Sequence, residues 1–205
     1  GDADCMLTGY TRGYMHSYND IKTVFSLKKN EVIFGMSVLI SGNKIIFVSD
    51  TAINEFPTSD ELVKIAEETA KKVKAFGIVP RVAFISHSNF GSKYGAGNQR
   101  VMDAIKILDS KKVDFEYDGE MAIGVALSDN PKKHYPFNRL TGSANVLVMP
   151  GLHSASISTN LVKDFTNGVL IGPVLTGFEK SVQITRIESD FNSIINLASL
   201  ACVYS

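Results

Sequence analysis

Apolar positions recur along the chain with the period of a helix in some stretches and of a strand in others, and the alternation sets out an order of elements. Residues 5–8 are a short apolar stretch that reads as a strand or the end of one. Tyr14, Tyr18, Ile21 and Phe25 follow at spacings of three and four, which predicts an amphipathic helix over Tyr14–Val24. The β-branched and aromatic run 32–40, the turn residues Ser41-Gly42-Asn43-Lys44 and a second run at 45–48 predict a β-hairpin. Pro57-Thr58-Ser59-Asp60-Glu61 opens a helix. There Thr58 as N-cap and Glu61 three positions on form a capping box, each side chain satisfying a backbone amide left over at the helix start. Leu62, Ile65, Ala66, Val73 and Phe76 share one face of this helix, Lys71, Lys72 and Lys74 complement the negative end of its dipole, and Gly77 fits the position just past its end.

Residues 82–85, bounded upstream by Pro80, read as a buried strand that turns into Ser86-His87-Ser88-Asn89-Phe90-Gly91-Ser92. In open α/β sheets ligands sit outside the carboxyl ends of strands, so this loop of hydroxyls and glycine is a candidate binding loop. A helix is expected over 98–108 with Val101, Met102, Ile105 and Leu108 inward, then a short strand at 115–117 and a helix over 121–127. Residues 128–142 are polar and carry Pro131 and Pro136, as a loop would. Further strands are expected at 146–149, 169–171 and 182–185, and a helix over 154–165 that ends at Asn167-Gly168. Ser189 or Asp190 caps a last helix whose Phe191, Ile194, Ile195, Ala198, Ala201 and Cys202 form one stripe. Strands alternating with helices in this way predict an α/β fold with a largely parallel sheet.

Composition narrows the function classes. The 205 residues, 44% of them apolar, can bury a sizeable core as one domain or two small lobes. Formal net charge is zero, and the lysine pairs at 28–29, 111–112 and 132–133 are scattered, which argues against a nucleic-acid footprint. No apolar run approaches the ~20 residues of a membrane span, and no signal peptide opens the sequence. Cys5 and Cys202, near opposite ends, do not make a disulfide framework; a reducing cytosol is expected, with both residues as buried small hydrophobes. His16, His87, His134 and His153 are too dispersed for a zinc site.

General motifs add little. Gly95-Ala96-Gly97 precedes a helix, but Arg100 stands where a dinucleotide fingerprint needs its third glycine. Asp118 and Glu120, two apart at a strand end, suit caps or hydrogen-bond acceptors better than an acid/base pair.

Seven blocks in order carry a resemblance. Ser49-Asp50-Thr51-Ala52-Ile53-Asn54 with Pro57, the loop 86–92, Asp118-Gly119-Glu120-Met121, Ala144-Asn145-Val146-Leu147, Pro150 with Leu152, Ile171-Gly172-Pro173, and the run from Lys180 to Asn196 together resemble the phosphate acetyl/butyryltransferase family. The run 111–121, Tyr135-Pro136-Phe137-Asn138-Arg139-Leu140 and His153-Ser154-Ala155-Ser156-Ile157-Ser158 resemble more closely the transferase-like C-terminal domain of bacterial NADP-dependent malic enzymes.

The resemblance implies a two-lobed fold of the isocitrate/isopropylmalate dehydrogenase type, with residues 1–28 and 170–205 in a first lobe and 29–169 in a second. The family's first α/β elements are absent here, and the chain is expected to be a fragment of something longer. The implied role is oligomerisation, as a homodimer or higher, and sensing of acetyl-CoA or a related acyl-CoA in the inter-lobe cleft of a cytoplasmic protein. NADP, a divalent metal and malate decarboxylation belong to the parent chain, with no cofactor in this domain and no nucleic-acid or membrane partner.

In the active transferases a serine-arginine pair and a later aspartate assist thiol attack and stabilise the transition state. Aligned from Lys180, those positions fall at Arg186, Ile187 and Ser193, with Ser181 for the proline after the lysine and Glu188 for the glycine after the pair. An arginine of the family's first helix falls near Asn19. Replacing a fixed cation by isoleucine and a carboxylate by serine removes charge stabilisation and the proton acceptor, so no catalytic residue is expected. The expected ligand-binding residues are Ser88, Asn89, Phe90, Gly91 and Ser92 with Arg12 and Arg186. The alternatives are a working phosphate acetyl- or butyryltransferase with a rearranged site, and a purely structural assembly module.

Overall fold

The computed structural model describes residues 2–91, 95–166 and 168–204. Its elements run β1 (Cys5–Gly9), α1 (Tyr14–Val24), β2 (Phe34–Ser41), β3 (Lys44–Ser49), α2 (Ser59–Ala75), β4 (Arg81–Ile85), α3 (Ala96–Ser110), β5 (Glu116–Met121), α4 (Ile123–Ala126), β6 (Val146–Val148), α5 (Leu152–Thr166), β7 (Val169–Thr176), β8 (Ser181–Thr185) and α6 (Phe191–Val203). Six strands form one sheet in the order β5-β4-β6-β3-β2-β7, and β1 pairs with β8 in a second, two-stranded sheet. Within the larger sheet β5, β4, β6 and β3 are parallel, and β2 alone runs against its two neighbours. The fold is α/β with mostly parallel strands flanked by helices.

Strands buried on both faces need a helical layer on each. Leu62, Ile65, Ala66 and Val73 of α2 and Val101, Ala104 and Leu108 of α3 pack on one face against Phe34, Met36, Phe47, Val82, Phe84 and Val146. The opposite face, with Ala83, Ile85, Leu147 and Met149, is covered by Ala126 of α4, Leu140, Ala144 and Ala155 of α5. A smaller core joins Tyr18 and Ile21 of α1 to Leu175, Phe178, Val182 and Ile184. No helix among the described residues is long and apolar enough to cross a membrane.

Local signals hold where they are strongest. The Thr58 side chain accepts from the Glu61 amide and the Glu61 carboxylate accepts from the Thr58 amide, completing the capping box of α2. Gly77, at φ +73°, closes the helix with its amide on the Lys74 carbonyl. The hairpin turns between Ser41 and Lys44 as expected.

Four expectations fail, each for a tertiary reason. β5 does not stop at 117 but continues through Asp118-Gly119-Glu120 to Met121, because both carboxylates are buried and receive hydrogen bonds from surrounding loops; the helix expected at 121–127 shrinks to four residues. β7 extends past Ile171 to Thr176, and its pairing with β2 shifts register between Met36 and Val38, opposite Gly172-Pro173. Proline has no amide to give a ladder, so an irregularity is what lets the strand pass through it. On α6 the buried residues are Leu197 and Ala201, while Phe191 and Ile195 of the expected stripe are exposed. Finally, neither cysteine is a buried hydrophobe: Cys202 is exposed and Cys5 partly so. Asn167 of the expected end of α5 lies outside the described residues.

Candidate functional site

A cavity of about 400 Å3 lies where the carboxyl ends of both sheets converge. Besides Pro173 of β7, its walls come from four places: Gly13, Tyr14 and Met15 after β1; Thr51, Ala52, Ile53 and Glu55 after β3; Leu152 and Ser156 on α5; and Arg186, Ile187 and Glu188 after β8. Its size falls within the range of small-ligand sites, about 300–1,000 Å3.

The β3 wall is held by Asp50. This carboxylate, 1% exposed, accepts hydrogen bonds from the amides of Gly35, Ala52, Ile53 and Asn54 and from the Asn54 side chain. Burial pushes its pKa up, and those same hydrogen bonds oppose the shift. The wall is then anchored to α5, where the Leu152 amide donates to the Asn54 carbonyl at 2.9 Å. Gly151 makes this possible, since a Cβ there would collide with the Glu55 carbonyl oxygen.

Arg186 enters through a tight turn in which its amide donates to Ser189 Oγ and the Ser189 amide returns to its carbonyl. Its guanidinium forms no ion pair among the described residues. The Tyr14 hydroxyl is buried with no hydrogen-bond partner among them. Burial raises its pKa, the Asp50 charge adds to the rise and the Arg186 charge opposes it. The cavity therefore offers a cation and an apolar flank in which Ile187 is 55% exposed.

The other residues expected to bind ligand sit elsewhere. Ser88 is 5% exposed; its Oγ donates to Glu120 Oε2 at 2.9 Å and accepts from Asn98 Nδ2 at 2.6 Å. The Gly91 amide donates to Glu120 Oε1 at 2.8 Å, and the Phe90 amide to the Glu120 carbonyl. Asn89 Oδ1 accepts from the Ala122 amide, and the Phe90 ring packs against Tyr135 and Phe137. The polar groups of the loop are thus turned inward onto β5, clasped by a carboxylate that is fully buried. Glu120 serves as a hydrogen-bond acceptor, and so does Asp118, which receives the Gly119 and Arg139 amides. Ser86 and His87, upstream, line a second cavity of about 520 Å3 with Gly95, Met149 and Ser158, and Phe90 and Gly91 line another of about 400 Å3 with Lys106, Phe137 and Arg139, apart from that of Arg186. Ser92 lies outside the described residues. Arg12 is exposed and paired with Asp20 at 2.9 Å, beside a different cavity from that of Arg186.

Ser193 stands in the first turn of α6, its amide capped by Asp190 Oδ1 at 2.7 Å, and does not line the main cavity. The Gly95-Ala96-Gly97 turn carries no side-chain cap, and Arg100 there donates to the Pro57 carbonyl, a structural tie between α3 and the start of α2. Among the described residues no cluster of three or more His, Cys, Asp or Glu could hold a metal ion. The sequence offers Tyr14 as either a cleft-facing or a core residue, and the structure sets it at the cavity; Asp50 and Glu55 were not singled out as site residues. The available signal was the unbroken polar-to-small run after β3, Ser49-Asp50-Thr51-Ala52-Ile53-Asn54.

A cleft of this kind, at the carboxyl ends of two α/β sheets, defines the class. The chain belongs to the phosphate acetyl/butaryl transferase family, whose description matches residues 1–202. It is 46% identical over 201 residues to an NADP-dependent malic enzyme of Rhizobium meliloti (strain 1021), covering 98% of this chain and 26% of that protein. It is likewise 46% identical over 213 residues to a probable NADP-dependent malic enzyme of Rickettsia prowazekii (strain Madrid E), covering 99% of this chain and 28% of that one. The chain thus spans about a quarter of the length of the curated relatives it matches. Among solved structures, the EutD phosphotransacetylase from Staphylococcus aureus superposes with a TM-score of 0.88 at 26% identity, over 100% of this chain and 64% of that one.

Proposed function

We propose that this chain is the phosphotransacetylase-like regulatory and oligomerising part of a cytoplasmic NADP-dependent malic enzyme, and that it binds acetyl-CoA or a related acyl-CoA in the 400 Å3 cavity without transferring the acyl group. The parent protein would oxidise and decarboxylate malate to pyruvate, with NADP and a divalent metal held outside this chain. The similarity to malic enzymes over nearly all of the chain supports the placement.

The observation that carries the loss of chemistry is the wall after β8. The position where the family resemblance expects an arginine is Ile187, half-exposed at the cavity, and Glu188 beside it adds negative charge where an anionic acyl phosphate would need the opposite. Arg186 remains, enough to meet an anionic ligand and too little to stabilise a charged transition state. Binding without turnover is how such a site becomes a sensor, and an effector acting this way typically couples with about 1–3 kcal/mol.

Titration calorimetry with acetyl-CoA, run beside an assay for acetyl phosphate formed from acetyl-CoA and phosphate, tests the reading. Saturable heat with no acetyl phosphate is expected. Silence at millimolar acetyl-CoA overturns the sensor role and leaves an assembly module; acetyl phosphate above background makes the chain a working transferase, as its likeness to a phosphotransacetylase would allow.

A further inference from the structure

The chain has two cysteines, 197 residues apart in sequence, and their sulfurs lie 3.8 Å from each other. The fold brings them together by two separate contacts. Cys5 opens β1 in register with Ser181, the first residue of β8. Ser181 in turn donates its Oγ to the Ala201 carbonyl at 2.8 Å, pinning the last turn of α6 over the start of β8 and presenting Cys202 to Cys5. Cys202 is exposed and Cys5 partly exposed, so small solutes reach the pair. A disulfide needs the sulfurs at about 2 Å, so the pair at 3.8 Å must close further to bond.

We propose that Cys5 and Cys202 are an oxidative modification site, a vicinal thiol pair that low-molecular-weight disulfides convert to an intramolecular disulfide. The Cys202 thiolate attacks one sulfur of the small disulfide, forming a mixed disulfide and expelling the first small thiolate. Cys5 then attacks the Cys202 sulfur and expels the second. The two protons of the protein thiols end on the two expelled thiolates. The protein pair loses two electrons, the small disulfide gains them, and no other oxidant is needed. The order follows from access: Cys202 is exposed and Cys5 only partly so, so the incoming disulfide meets Cys202 first.

The bond would tie β1 to α6 at the end of the two-stranded sheet remote from the cavity. The other end of β1 leads to Gly13–Met15 and the other end of β8 to Arg186–Glu188, two of the four cavity walls. Oxidation would therefore fasten together the two elements that carry those walls.

The test is incubation of the purified protein with glutathione disulfide under native conditions, then alkylation and peptide mapping. Wild type is expected to yield a cross-linked Cys5–Cys202 peptide pair with no retained glutathione, reversed by dithiothreitol. Cys5→Ser is expected to keep one glutathione on Cys202, and Cys202→Ser to react at least tenfold more slowly. The oxidised wild type should melt above the reduced form, with no such difference for Cys5→Ser. Two stable adducts on wild type, a dimer linked through Cys202, or unchanged thiols at a ratio that modifies Cys5→Ser would each overturn the proposal.

Discussion

Glu120 is the residue whose removal best tests the account of the 86–91 loop. It is 0% exposed, and its two carboxylate oxygens receive the Ser88 hydroxyl at 2.9 Å and the Gly91 amide at 2.8 Å. Glu120→Ala leaves the buried Ser88 hydroxyl without an acceptor, at about 1–3 kcal/mol, and costs the half-buried Gly91 amide its bond, at about 1 kcal/mol. The expected loss is therefore about 2–4 kcal/mol, a large share of the ~5–15 kcal/mol available to a folded domain. Glu120→Gln keeps one acceptor oxygen, which can serve the buried Ser88 hydroxyl, while its NH2 cannot accept from the half-buried Gly91 amide. With one of the two bonds and the charge assistance lost, its cost should stay at about 1 kcal/mol. Urea unfolding of the three proteins, compared at constant m, measures the series. An alanine variant within ~1 kcal/mol of wild type would refute the clasp. Equal losses for glutamine and alanine would also count against it, since they would assign the effect to packing. Acetyl-CoA affinity supplies a further arm: the loop is separate from the main cavity, so Glu120→Gln should bind as wild type does.

Three other outcomes follow from the same geometry. Arg186→Gln removes the cavity's unpaired guanidinium, and acetyl-CoA should bind about 10–100-fold more weakly with stability unchanged, as calorimetry and thermal melts would show together. Gly151→Ala drives a methyl into the Glu55 carbonyl; a loss of about 1–3 kcal/mol with weaker ligand binding is expected from chemical denaturation and titration, whereas an unaltered Tm would contradict the close approach. Burial, reinforced by Lys28, lowers the Lys72 pKa to about 8, against about 10.4 in an unfolded chain. Between those values the unfolded state holds more protons, so this group's contribution to stability rises with pH across that window. The advantage of Lys72→Met over wild type should then shrink by up to about 3 kcal/mol between pH 7 and pH 10. Parallel stability curves would refute the shift.

Local features were legible from the sequence and non-local ones were not. The bounds of α1 and the capping box of α2 rest on contacts within four residues, and both stand as expected. The strand at 115–117 reads too short because the polar residues that continue β5 acquire their partners from Ser88, Gly91 and Arg139, which no window around 118–120 contains. The stripe expected on α6 includes Ala201, but the packing on β1, β7 and β8 adds Leu197 and leaves Phe191 and Ile195 exposed. The candidate site was half visible. Arg186 and Ile187 came from the family resemblance, and the structure sets them at the cavity. The 88–91 loop has the composition of a ligand cradle, yet a buried glutamate 29 residues beyond Gly91 takes up its donors. The cysteines were misread for a similar reason, since the β1–β8 pairing and the Ser181–Ala201 contact together bring them near each other from opposite ends of the sequence.

The β1–β8 pairing has a consequence for synthesis on the ribosome. Cys5 is matched with Ser181, so 176 residues (181 − 5) separate the two halves of the smaller sheet. At about 5–20 residues per second, β1 waits roughly 10–35 s after it is made before its partner strand exists. The larger sheet, whose strands lie between residues 34 and 176, can close during that interval. Met6 and Leu7, more than a third exposed even in the finished fold, spend it with no strand to pair with. Two walls of the cavity follow on β1 and β8, so the binding site is completed only after the larger sheet, and a nascent chain halted before β8 would carry the strands of that sheet without the Arg186–Glu188 wall.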